Sequence, residues 1–219
     1  MLKTADLFDL NHTLASSLLG KAEYPWEILD DLSKFISDLG ETLSPEEYDS
    51  PGPGVWVAKD AVIYPTAFLC APCVIGHRSE VRHCAFIRGS VLVGNDAVVG
   101  NSTEVKNAVV FDNVEIPHYN YVGDSILGYK AHLGAGAVTS NVKGDRSEVT
   151  VHDGGEAVAT GREKLGAIVG DHAEVGCNSV LNPGTVLGRN AQIYPLSSVR
   201  GTVPADHIYK DPEHIVPKR

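Results

Sequence analysis

The chain has 219 residues, with 18 Lys and Arg against 28 Asp and Glu, a formal net charge of −10. That balance excludes a general polyanion binder, because nucleic-acid affinity comes from clustered cations that neutralise phosphates. Hydrophobic residues make up 43% and aromatics 7% of a chain with 22 Gly and 12 Pro, so any core is built from Val, Ile, Leu and Ala in short, punctuated segments.

The N-terminus, MLKTADLFDLNHTLASS, carries acids where a secretion signal needs a basic start and an apolar run. No stretch approaches the roughly 18 apolar residues of a membrane span, so a cytoplasmic protein without a membrane partner is expected. Four cysteines, Cys70, Cys73, Cys84 and Cys177, are too few for a disulfide scaffold. Residues 25–38, PWEILDDLSKFISD, place Trp26, Ile28, Leu29, Leu32, Phe35 and Ile36 on one face and predict an amphipathic helix. A Pro- and Gly-rich linker follows from Ser44 to Gly54. Residues 1–50 are therefore expected as a helical segment and linker that caps the main domain or packs on a neighbour.

From Val57 an aliphatic residue recurs at every sixth position through Ile63, Leu69, Ile75, Val81, Ile87, Val93 and Val99 to Val105. Small residues such as Ala61, Ala67, Ser79, Ala85, Ala97 and Thr103 stand two places earlier. The pattern resumes at Val169 and runs through Val175, Leu181, Leu187 and Ile193 to Val199. A period of six contains the period of two that strands need and does not fit the 3.6 of a helix. It predicts a parallel β-helix, each hexapeptide making one flat side with its aliphatic residue pointing inward. An antiparallel barrel would not keep one phase over so many repeats. The pattern resembles the hexapeptide-repeat family, which implies a left-handed parallel β-helix with three sides and 18 residues per coil. The expected β-helix spans 51–205, with a tail at 206–219.

Two irregularities stand out. After Val105 the inward positions are expected at Phe111, Ile116, Val122, Leu127 and Leu133, so two steps are five residues long and should pinch corners. Residues 142–167 lack the repeat and must loop out of the prism. Arg88 and Lys106 are 18 apart, so on such a coil they stack about 4.8 Å apart, both pointing outward. Either carboxylates such as Glu104 neutralise them or they hold a ligand phosphate.

The strings VGNSTEVKNA (99–108), HYNYVGDSILG (118–128) and HLGAGAVTSN (132–141) resemble the acetyltransferase domain of bifunctional UDP-N-acetylglucosamine pyrophosphorylase/glucosamine-1-phosphate acetyltransferases. Residues 160–188 are similar to archaeal sugar-1-phosphate nucleotidyltransferases that carry an amino-sugar acetyltransferase domain. The resemblance implies an acetyl-CoA-dependent N-acetyltransferase acting on an amino-sugar 1-phosphate, working as a homotrimer with sites between prisms. It implies that Arg88 and Lys106 bind the sugar phosphate, that Tyr121 and Asn141 contact the acceptor, and that His118 is the general base. The backbone N–H of Ala135 would stabilise the oxyanion. His132 replaces an Asn and Val142 a Tyr in positions that shape the sugar pocket, which opens the identity of the acceptor. Arg162 and Lys164, in the excursion, are expected to reach a phosphate of coenzyme A or of the sugar. Cys177 falls beside the acyl group as packing. A nucleotidyltransferase domain has no counterpart in residues 1–50, so a separate protein would use the product.

The same residues admit other readings. Cys70, Cys73, His77, His83 and Cys84 read alone as a zinc cluster. Nine histidines also raise a zinc-dependent, carbonic-anhydrase-like β-helix, and a scaffold that has lost activity would serve as an assembly or regulatory subunit.

Overall fold

Most inward aliphatic residues mark a strand two to four residues long, and three sides complete one turn of a three-sided prism in the computed structural model, which describes residues 1–219. The expected left-handed parallel β-helix is present. Parallel pairing joins each strand to the one a full coil later, so Val57, Ile75 and Val93 stack on the first side. Ile63, Val81 and Val99 stack on the second side, and Leu69, Ile87 and Val105 on the third. Most of these side chains are fully buried, each contributing about 1.5–3 kcal/mol of burial. The small residues two places earlier line the inner corners; Ser79, for example, donates to the Gly94 carbonyl at 2.7 Å and accepts the Ala97 N–H at 2.9 Å.

Below Val105 the coils shorten from 18 to 17 residues, and the structure relocates the first lost residue. Val93 pairs with Val110, not with Phe111. Phe111 is buried but faces outward against Phe8, with ring centroids 5.0 Å apart. Asn107 alone stands where the coil above uses Gly89 and Ser90: its N–H goes to the Gly89 carbonyl and that of Ala108 to Ser90. One strand, Glu104–Val110, therefore runs unbroken around the corner between the third and first sides, and Tyr121–Leu127 repeats this one coil below.

The first side presents an apolar outer surface, and the N-terminal segment covers it. The predicted helix is divided into a 3-10 turn, Pro25–Leu29, and an α-helix, Leu32–Gly40. Trp26, Ile28 and Leu29 of the turn and Leu32 at the start of the helix are all buried. The helix lies along the first-side strands Cys73–Ile75 and Val91–Val93, so the helical cover is lateral rather than terminal. Asp171 pins this segment lower down, accepting the backbone N–H of Asp9 at 2.7 Å and of Tyr129 at 2.8 Å.

Residues 142–164 leave the prism after Asn141 and close on themselves through a Val142 to Lys164 bridge. Their hairpin, Thr150–Asp153 with Glu156–Ala159, folds onto the lower first side, where Val149 and Val151 are buried and the His152 carbonyl accepts the Thr202 hydroxyl at 2.8 Å. Residues 206–219, expected as a tail, contain an antiparallel hairpin, His207–Asp211 with His214–Pro217. Its Tyr209 takes the inward column below Ile193 and closes that end of the prism. The opposite end keeps a hollow of about 390 Å³ over Ile63 and Leu69. No helix is long and apolar enough to cross a membrane.

If the lateral cover is part of the folding unit, Ile36→Ala should lower stability by about 2–5 kcal/mol in urea unfolding, with a single transition for helix and prism signals. Two separate transitions would show a cover that docks independently.

Candidate functional site

The pinched corner gathers one polar cluster. Asn107, Asp124 and Asn141 succeed each other at 17-residue intervals, so they form a ladder at the corner between the third and first sides. Asn107 and Asp124 have φ of 46° and 48°, the left-handed conformation that Asn and Asp tolerate best after glycine. Asp124 is the buried hub. Its carboxylate accepts from Asn107 at 2.8 Å and from the Asn141 amide, and it lies 3.5 Å from the Lys106 ammonium. Asn141 also donates to the Tyr121 hydroxyl at 3.3 Å. Burial pushes the Tyr121 phenol above its ordinary pKa, against the opposing hydrogen bond from Asn141, so it stays a neutral donor at pH 7.

Arg88 stands one coil above Lys106, its N–H bound to the Val105 carbonyl, as the 18-residue spacing predicts. Its guanidinium donates to Glu104 at 2.7 Å, and that bond holds its pKa above the ordinary value. A carboxylate therefore engages each cation, Glu104 for Arg88 and Asp124 for Lys106. The Arg88 and Glu104 pair is about two-fifths and one-third exposed, which leaves the guanidinium open to exchange partners.

The opposite corner of the third side carries a second column. Strand pairing of Glu115 with His132 continues to place His118 one coil above Ala135, and the Gly136 N–H reaches the His118 carbonyl at 2.9 Å. Cys177 follows one coil below Ala135, at an exposed position. The His118 imidazole is exposed and has no hydrogen-bond partner within the chain. The Ala135 N–H is likewise unpaired, whereas the Ala135 carbonyl accepts from Asn178 at 2.8 Å. Asn120, almost fully buried, clamps this turn by donating to the Gly134 and Ala137 carbonyls at 2.8 and 3.0 Å.

His132 sits on the second side, one coil above Glu174, with Nδ1 2.9 Å from Glu174 Oε2. Lys164 lies at the base of the excursion, next to Leu165, whose N–H donates to the Asn141 carbonyl at 3.0 Å. Arg162 turns away from the cluster. Its Nη1 is 2.6 Å from the Asp30 carboxylate, in an ion pair, and its side chain is one-tenth exposed. Arg162 thus joins the excursion to the N-terminal cover. Burial pushes the Cys73 thiol up to about 12, as befits a corner residue inside the prism. The sequence reading missed Asp124, Asn120 and Glu174. The signal for Asp124 was present, since 107, 124 and 141 share the 17-residue spacing once the coil is known to shorten.

Comparison with known proteins places the chain in a family. Residues 69–163 match the model for the GMPPB C-terminal domain. A bifunctional sugar-1-phosphate nucleotidylyltransferase/acetyltransferase of Sulfurisphaera tokodaii is 33% identical over 190 residues, covering 85% of this chain and 47% of the relative. The bifunctional protein GlmU of Methanococcus maripaludis is 32% identical over 199 residues, covering 90% and 48%. The chain thus spans about half the length of these two relatives. An uncharacterized acetyltransferase of Escherichia coli, YaiX, is 33% identical over 168 residues, covering 68% of this chain and 72% of the relative. With the prism, its six-residue pattern and these relatives in agreement, the chain belongs to the hexapeptide-repeat acyltransferases.

Proposed function

We propose that the protein is an acetyl-CoA-dependent N-acetyltransferase acting on an amino-sugar 1-phosphate. The observation that carries this reading is the pair of columns flanking the third side: a free imidazole over a free N–H at one corner, and Arg88, Lys106, Tyr121 and Asn141 at the other. At about 3.3 Å per residue the two corners are roughly 10–15 Å apart. The sugar lies along that side with its phosphate on Arg88 and Lys106, displacing Glu104 from the guanidinium, and with its amine toward His118. Arg forks and Lys point charges suit phosphate oxygens.

The chemistry needs no covalent enzyme intermediate. The amine attacks the thioester carbonyl, and His118 takes the proton as the new C–N bond forms. The Ala135 N–H donates to the oxygen on which negative charge develops, and collapse of that intermediate expels the coenzyme A thiolate. Tyr121 donates to a phosphate or hydroxyl oxygen, and Asn141 orients the sugar while Asp124 holds Asn141 and Lys106 in place. In this reading Cys177 packs beside the acyl group, and Lys164, at the base of the excursion, meets a phosphate of either substrate.

A flat prism side offers no deep pocket, so a second wall is needed. The first side is covered by the chain itself, whereas the second and third keep exposed apolar side chains, among them Phe68, Tyr119 and Leu196. This favours a homotrimer in which a neighbouring prism closes the site.

Free-thiol release from acetyl-CoA should occur with glucosamine 1-phosphate or galactosamine 1-phosphate, and His118→Ala should lower kcat by about 10²–10⁴-fold. No turnover with either sugar, together with no thermal stabilisation by acetyl-CoA, would overturn the reading. Arg88→Met should raise the KM for the sugar phosphate about tenfold or more while leaving that for acetyl-CoA unchanged. Light scattering at micromolar concentration should give three chains per particle; a monomer would contradict the shared site.

A further inference from the structure

One imidazole–carboxylate pair stands beside the proposed site without a part in its chemistry. Glu115, His132 and Glu174 occupy successive coils of the second side and point outward in one column. The 2.9 Å contact between His132 Nδ1 and Glu174 requires a hydrogen on Nδ1, which leaves Nε2 of the neutral ring as an acceptor. His132 and Glu174 border an open groove of about 320 Å³ whose further walls include Gly134, Cys177 and Tyr194. A side chain at Gly134 would come within 2.8 Å of the Cys177 backbone nitrogen and 3.0 Å of its sulfur, so glycine keeps the floor of the groove low. The groove therefore leads from His132 toward the corner that carries the free Ala135 N–H. Glu115 and Lys130 face His132 from the other flank.

We propose that Glu174 is a positioning residue that holds His132 as the Nδ1–H tautomer, with Nε2 turned to the groove, and that His132 thereby selects an acceptor presenting a hydroxyl hydrogen at that point. An Asn in this place would offer both a donor and an acceptor; the anchored imidazole, in its neutral form, offers an acceptor alone. The pair thus narrows the acceptor class to an amino sugar with a free hydroxyl directed at the second side. The inference rests on the acetyltransferase reading above.

The test has a kinetic and a spectroscopic arm. Glu174→Ala is expected to raise the KM for the accepted amino-sugar phosphate about tenfold, with kcat within threefold and the KM for acetyl-CoA within twofold of wild type. Glu174→Gln, whose side-chain oxygen still accepts from Nδ1–H, should keep most of the wild-type KM. Among the 3-deoxy, 4-deoxy and 6-deoxy sugar phosphates, one should be used equally well by wild type and Glu174→Ala. Nitrogen-15 NMR of the imidazoles should report the Nδ1–H tautomer for His132 in the wild type and its loss in Glu174→Ala. An unchanged acceptor KM in Glu174→Ala, a tautomer that does not respond, or no deoxy analogue that is insensitive to the substitution overturns this inference while the acetyltransferase reading stands. Absence of wild-type turnover overturns both.

Discussion

Parallel stacking of coils at one strand spacing is the constraint on which the rest of the structure depends. A side chain's neighbours are set by coil length, because a residue meets whatever lies one coil away in the same register. Above the site the coil is 18 residues, which puts Arg88 over Lys106. Through the site it is 17, which puts Asn107, Asp124 and Asn141 in one ladder and His118 over Ala135. Removing one residue from a corner also turns two short strands into one continuous strand. That backbone rigidity matters because the cluster depends on a buried carboxylate: Asp124 is 3% exposed in its side chain and is tolerable there because three polar groups converge on it.

The three sides of the prism carry different duties. The outer surface of the first is apolar, and the chain covers it with its own N-terminal segment above and the excursion hairpin below. Arg162 with Asp30 joins those two covers, so an arm that leaves the prism after Asn141 is anchored over the neighbouring first side. The second and third sides are left for other contacts. Between them runs the corner with His118, Ala135 and Cys177, and the groove of His132 and Glu174 opens beside it.

Much of this was legible in the sequence. The six-residue period identified the prism and nearly every inward residue, and the spacing of Arg88 and Lys106 foretold their stacking. Phe111 and Val110 could not be told apart by pattern, since both are apolar and adjacent. The shortened corner at Asn107 turns Phe111 to the outer face, where it packs on Phe8, a residue far away in sequence. The division of the 25–38 helix is likewise invisible in the local pattern, since Trp26, Ile28, Leu29 and Leu32 are buried on both parts of it. Arg162 illustrates the limit most clearly: its sequence context suggested a ligand phosphate, and its nearest charge is a carboxylate on the N-terminal cover. Glu174 was hidden for a geometric reason, since the excursion separates it from His132 in sequence while leaving the two one coil apart in space.

The most direct test is a crystal structure with acetyl-CoA and glucosamine 1-phosphate or galactosamine 1-phosphate bound together. The sugar phosphate should lie within hydrogen-bonding distance of Arg88 and Lys106, with the thioester oxygen about 3 Å from the Ala135 nitrogen and the amine facing His118. A sugar phosphate bound away from the Asn107, Asp124 and Asn141 corner, or a thioester that makes no contact with Ala135, would contradict the account.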